Sequence, residues 1–446
     1  MEFLLYFLPL FMLLYGITPR AYKNVTLFVG SLVFYAYGEP IYILFLLLSI
    51  LVNYFVGLHI AERKKEKRSR HKRRKILLAA AIIGNIGVLM VFKAGLWNLG
   101  LPLGISFYTF QILSYLIDVY QGDIHYERSF LKFADYVAMF PKVVSGPLVR
   151  YGEIEGDLEV RRFTAKGVQD GIKYFIVGLA FKILLADRIG LLWHEVQVTG
   201  FESISLPLSW IAAIAYSFHI YFDFCGYSLM ATGLGRMLGF ELPENFRTPY
   251  MAKSVRDFYR RWHITLGRWF CRYVYIPLGG SRRGELRTAF NLLVIWLMTS
   301  LWHGGTLNYF LWGMLLCFLI VIERQLEKVP ALKQLKILPH LYLWFVIPIT
   351  WMCFAITDIS QLGVYLGRMF GVIGGIHVNG SDWRKALDNY GLLMALCAVC
   401  CTPVVKKVFD KVKDKLPGYV FLAVLFWVCV WRILLEGNNP FMYFRF

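Results

Sequence analysis

Two histidines lie beside or inside apolar stretches. His263 closes Arg260-Arg261-Trp262-His263, and His303 sits in Leu301-Trp302-His303-Gly304-Gly305, forty residues further on. A charged side chain at the centre of a bilayer costs roughly 2.5–3.5 kcal/mol on insertion scales, so ionisable groups at that depth are few and tend to have a task. Imidazole is the cheapest of them to keep neutral, and it still exchanges a proton near pH 7. The chemistry these residues suit is therefore proton transfer in an apolar setting. Trp302 and the Gly304-Gly305 pair suggest a shaped, accessible site around His303, against the alternative of a satisfied core histidine. Among the nine histidines no close pair or carboxylate-histidine spacing resembles a ligand set, so no metal is expected.

Other groups could serve such a site. Asp223, in Tyr221-Phe222-Asp223-Phe224-Cys225-Gly226-Tyr227, follows a long apolar run and needs a cationic or hydrogen-bonding partner. Ion pairing, direct catalysis and orientation of a histidine are all open to it. From Lys253 to Arg287 there are nine Lys or Arg against Asp257 and Glu285, interleaved with Trp262, Trp269, Phe270, Tyr273 and Tyr275. The i, i+4, i+7 spacing of Arg256, Arg260 and His263 predicts one face of an amphipathic interfacial helix. That face could hold anionic lipid, or form a basic lip (Arg256, Arg260, Arg261) for a phosphate-bearing acyl donor such as coenzyme A or a phosphopantetheinyl carrier protein.

The elements that position these residues must cross a membrane. Of 446 residues 58% are hydrophobic and 17% aromatic, above the roughly 45–50% apolar content of soluble domains. Spans of about 20 residues are expected near 3–17, 26–37, 40–58, 76–93, 101–120, 167–185, 206–222, 286–301, 306–322, 341–357, 389–404 and 418–435. The more polar stretches 130–150 and 223–250 suit re-entrant or interfacial helices. Leu101–Asp118 begins with helix breakers and then carries Ser106, Thr109, Gln111 and Ser114, as a helix beside a polar cavity or one bonded to its neighbours would. Two prolines and a glycine within Phe140–Arg150 forbid a continuous helix there.

A net charge of +19 could suggest nucleic acid, but much of it sits in loops between apolar segments and reads as orientation instead. The basic run 63–75 and the stretch from Lys406 to Lys415 are expected on the cytoplasmic side, which puts the N-terminus and the last ten residues outside. The first apolar segment lacks a basic leader and a small-residue cleavage site, so it is expected to be retained. Seven of eight cysteines lie in apolar stretches and read as small hydrophobes, the Cys397-Ala398-Val399-Cys400 spacing included. No polar stretch is long enough for a core of its own, so one membrane domain is expected over 1–446: N-terminal spans 1–100, a core 101–313 and C-terminal spans 314–446.

Taken in order, Arg256-Asp-Phe-Tyr-Arg-Arg-Trp-His-Ile-Thr-Leu266, Tyr275-Ile-Pro-Leu-Gly-Gly280 and Leu301-Trp-His-Gly304 closely resemble the membrane-bound O-acyltransferase family. The likeness covers most of the chain, and the chain is similar in particular to the bacterial alginate O-acetyltransferase branch, which has counterparts of Gly104–Phe107, Phe140-Pro141, Ser145–Pro147, Tyr221–Phe224 and Asn245-Phe246. Two departures bear on the acceptor and the shape of the site: Cys225-Gly-Tyr-Ser-Leu229 where that branch has Ser-Gly-Tyr-Ser-Asp, and Ser300 where it has glycine.

The resemblance implies an all-α bundle of about 11–13 helices around a central tunnel, in the cell membrane. His303 matches the catalytic histidine and His263 the second motif histidine, with Asp223, Asn245 and Trp302 in support. A neutral imidazole can take the proton of a hydroxyl attacking a thioester, a contribution of about 10²–10⁴-fold. The donor would be acetyl-CoA or an acyl carrier thioester, with no bound cofactor. The acceptor would be a cell-surface polysaccharide reached through an extracytoplasmic acyltransferase partner, with no role for nucleic acid. The ending Pro440–Phe446 resembles an aromatic-tyrosine motif, making Tyr443 either a transient acyl carrier or an aromatic anchor. The rival readings are a teichoic-acid D-alanyl transferase and a secondary transporter; for the latter no paired repeats are found.

Overall fold

The computed structural model describes residues 2–61, 68–95, 100–144, 146–329, 336–374 and 378–436. Among them every regular element is helical. Six helices are long and apolar enough to cross a membrane, or seven if Asp382–Cys400 and Pro403–Val412, bent by 74° at their junction, make one broken span. The chain packs as two compact units, one of residues 1–175, 228–243 and 433–446, the other of 176–227 and 244–432.

The first unit contains α1 (Leu8–Ile17), α2 (Lys23–Gly38), α3 (Ile43–Ile60), α4 (Arg68–Lys93), α5 (Ile105–Gln121), α6 (Phe130–Ala138), α7 (Phe140–Val143) and α8 (Tyr151–Glu159). As the two prolines and the glycine require, the segment from Phe140 makes one helical turn to Val143, and residues 146–150 form no regular element. Its Phe140 ring is gripped by Phe7, Phe11 and Phe34 at centroid distances of 5.6, 5.2 and 5.7 Å. The polar face of α5 works as interhelical glue. Gln111 Oε1 accepts from the fully buried Lys142 Nζ at 2.6 Å, and the Gln111 carbonyl accepts from the Tyr136 hydroxyl at 2.9 Å. The basic residues 68–75, expected in a loop, form the first turns of α4.

The chain continues through α9 (Ala165–Ala180), a π-turn (Phe181–Ala186), α10 (Asp187–Thr199), α11 (Leu206–Met237), α12 (Val255–Arg261), α13 (Ile264–Phe270), α14 (Glu285–His303), α15 (Leu307–Leu326), α16 (Leu338–Ala355), α17 (Ile359–Met369), α18 (Asp382–Cys400), α19 (Pro403–Val412) and α20 (Leu416–Glu436).

Two expectations are corrected. The stretch 223–250 was expected to form re-entrant or interfacial helices, yet α11 runs unbroken to Met237, with Asp223 paired to a cation within it. Arg256, Arg260 and His263 were expected on one helical face, but α12 ends at Arg261 and His263 turns to φ 46° before α13 begins.

Candidate active site

His303 is the last residue of α14. Gly304 (φ 137°) and Gly305 (φ 68°) take conformations that side-chain-bearing residues rarely adopt, and their N–H groups bond back to the Leu301 and Ser300 carbonyls at 3.1 Å each. The helix therefore stops one residue past Trp302 and turns into α15. The two helices touch almost backbone to backbone. A Cβ on Gly313 of α15 would lie 2.2 Å from Ser300 Oγ, and that hydroxyl is 2.8 Å from the Tyr309 carbonyl and from the Trp296 carbonyl. At α15's first turn Asn308 Nδ2 donates to the Phe354 carbonyl at 3.1 Å, tying the hairpin to the end of α16.

The His303 ring is thus held among four aromatic rings: Trp302 (4.5 Å between centroids), Phe354 (4.9 Å), Trp312 (5.3 Å) and Tyr309 (5.6 Å). It keeps partial exposure. The aromatic walls leave one side of the ring open.

His263 is held differently. A non-glycine residue in the left-handed region costs of order 1–3 kcal/mol, and Asn245 provides the compensation. Its Oδ1 accepts from Thr265 Oγ1 at 2.8 Å and from Thr265 N at 3.3 Å, and lies 3.1 Å from His263 Nδ1; its backbone carbonyl accepts from Ile264 N at 2.9 Å. With Oδ1 as the common acceptor, Nδ1 carries the proton and Nε2 the lone pair. Phe224 meets the imidazole edge-on at 4.7 Å. The residue is 6% exposed, and burial pushes its pKa down, to about 3, so the ring is neutral at ordinary pH. Trp302 stands between the two histidines, its ring 6.5 Å from that of His263 and 4.5 Å from that of His303.

Asp223 is an ion-pair residue. Lys182 Nζ lies 2.6 Å from its Oδ1 and 2.7 Å from Asp187 Oδ1, the three side chains being only 11–17% exposed. The π-turn makes this possible: its i→i+5 closure, Asp187 N to Lys182 O, sets residues five apart side by side. Neither Lys182 nor Asp187 was legible beforehand, since nothing local marks a π-turn. The basic lip is partly self-neutralised. Arg256 pairs with Glu327 and Arg261 with Asp257, both at 3.0 Å, while Arg260 is exposed and has no ion pair among the described residues. Tyr443 lies outside the described residues. Among those described, no group of three or more His, Cys, Asp or Glu side chains is placed to hold a metal ion.

These features define a multi-pass helical membrane protein with two differently mounted imidazoles in an aromatic setting. The profile of the membrane-bound O-acyltransferase family matches residues 121–360. A probable alginate O-acetylase of Pseudomonas fluorescens is 34% identical over 82% of the chain and 74% of its own length. A peptidoglycan O-acetyltransferase of Helicobacter pylori is 31% identical over 83% and 79%. A teichoic acid D-alanyltransferase of Lacticaseibacillus rhamnosus is 30% identical over 49% and 58%. The chain belongs to the membrane-bound O-acyltransferase family and is an O-acyltransferase.

Proposed function

We propose that this enzyme moves an acetyl group from a cytoplasmic thioester, acetyl-CoA or an acylated carrier protein, to a hydroxyl of a cell-surface polysaccharide or of an extracytoplasmic partner that completes the transfer. The observation that carries this reading is His303, reachable yet walled by Trp302, Tyr309, Trp312 and Phe354 at the end of α14. The imidazole takes the proton of the acceptor hydroxyl as its oxygen attacks the thioester carbonyl. The C–S bond then breaks, and the departing thiolate takes that proton from the imidazolium, so the base is regenerated. His263, neutral and with Nε2 as an acceptor, orients the reacting groups rather than exchanging a proton with them.

The positive-inside rule supports a cytoplasmic position for residues 63–75 and 406–415 and hence a donor arriving from that side. Arg260 offers a ready cation to the donor's phosphates, and Arg256 becomes available once they displace Glu327. The two units act as one membrane domain, and Tyr443 serves as acyl relay or anchor. Acetyl is preferred to D-alanyl because the relatives named for acetyl transfer match over far more of the chain.

The test is the small acid released by base from washed envelopes of the native host, comparing the intact protein with His303→Ala at matched expression. Loss of acetate supports the proposal. Loss of D-alanine moves the enzyme to the teichoic-acid reaction, and no change in any ester removes the catalytic assignment of His303.

A further inference from the structure

The first N–H groups of a helix have no partner within it, and in α12 those of Val255, Arg256 and Asp257 each find one outside. Ser254 caps one of them: its Oγ accepts from Asp257 N at 3.0 Å, while its carbonyl takes the first helical bond from Phe258 N at 2.8 Å. The other two N–H groups, of Val255 and Arg256, reach across to α15, where Glu323 Oε1 and Oε2 accept them at 2.6 and 3.0 Å.

Glu323 is an expensive choice for this task. It is 6% exposed, and apart from Arg324 it is the sole charged residue of α15. A buried carboxylate is tolerated where its oxygens receive strong hydrogen bonds, and here each takes an N–H at the positive end of a helix. One turn further on, Glu327 pairs with the Arg256 side chain at 3.0 Å. The two carboxylates are not equivalent. Glu323 is buried and grips the α12 backbone, with the Tyr342 side chain of α16 as a further hydrogen-bond partner; Glu327 grips a side chain and is 46% exposed.

This grip matters because of what each helix carries. α15 is locked to α14, and so to His303, through the Ser300–Gly313 contact. α12 leads within two residues to the His263 turn. We propose that Glu323 is a positioning residue for the transfer reaction: by fixing the start of α12 to α15, it sets the His263 turn against the hairpin that ends in His303. This rests on the assignment of His303 as base. Displacing a reacting constellation by about 1 Å can cost about 100-fold in rate, so one polar strut can govern turnover without touching substrate.

The experiment compares Glu323→Gln and Glu327→Gln in the full-length protein in lipid nanodiscs, reading amide hydrogen exchange and acyl-transfer kinetics together. Glutamine keeps the shape of Glu323 but turns one acceptor into an NH2 group facing an N–H. The expected result for Glu323→Gln is faster exchange confined to the peptide spanning 252–266, unchanged exchange in α14, and turnover lowered about 10–100-fold with donor KM within about twofold. Glu327→Gln, which frees Arg256 for the donor, should change donor KM and leave that exchange unchanged. Wild-type turnover in Glu323→Gln overturns the proposal. So does exchange that rises equally in α14 and α15, which would make Glu323 a general stability residue. His303→Ala separates the two readings: if transfer survives it, the catalytic assignment fails, while the exchange confined to 252–266 still reports on the strut.

Discussion

Ser300 and Gly313 are complementary across the α14–α15 hairpin: the hydroxyl of one occupies the space that a side chain on the other would need, at 2.2 Å from the missing Cβ. A glycine at position 300 would leave that space empty; here it is filled by a hydroxyl bonded to the other helix of the hairpin. The Gly313→Ala protein should lose thermal stability in detergent and acyl-transfer activity together. Ser300→Gly in the same chain should restore most of both. Failure of the double variant to recover would mean that Gly313 is needed for its contact with the Trp296 carbonyl, 3.0 Å away.

Asn245 holds a strained turn. Its replacement by Ala removes the acceptor shared by Thr265 and His263 and leaves their donors without it, at a cost of about 1–3 kcal/mol. We expect Asn245→Ala to insert normally and to lose activity about tenfold or more. Asn245→Asp retains an oxygen at the same place and should recover part of the loss. Equal activity of both variants and wild type would separate the turn from the reaction.

Both errors of sequence reading come from partners distant in the chain. The i, i+4, i+7 arithmetic for Arg256, Arg260 and His263 assumes that the helix continues through Trp262. The turn that replaces it is held by hydrogen bonds to Asn245, eighteen residues earlier than His263, which no local pattern announces. Likewise, a carboxylate at Asp223 argues for a span ending there until Lys182 is known to lie beside it. What depended on near neighbours was legible. The apolar run 286–301 falls within α14, Pro141 and Pro147 marked the interruption after Phe140, and apolar length marked most of the helices.

The low pKa of His263 makes a prediction about acid stability. Its folded value, about 3, lies below the usual histidine value of 6.5, so the unfolded chain binds the proton more readily. The stabilising contribution is fully present above about pH 6.5 and is lost progressively as pH falls from there toward 3. Thermal stability in detergent should fall on acidification across that window, and His263→Gln should flatten the slope. An unchanged slope would mean that other groups set it.

Lys182 neutralises two carboxylates. Lys182→Met leaves Asp187 and Asp223 facing each other in a mostly buried place, a loss of about 3–5 kcal/mol when one partner of a buried pair is removed. A Lys182→Met, Asp223→Asn double variant should be more stable than the single one, and melting temperatures measured side by side decide it. Additive losses would show that the three groups do not interact.

The π-turn that sets up this triad carries one residue more than a regular helical turn. Deleting a single residue between Phe181 and Ala186 would leave a sequence perfectly able to form an uninterrupted α-helix. That helix would close the same turn with one residue fewer, so everything after it would keep its place and Trp193 would stay in the slot it now shares with Phe201, Tyr216 and Tyr365. The insertion is thus a local one: it adds a residue to the wall around Lys182 without turning α10.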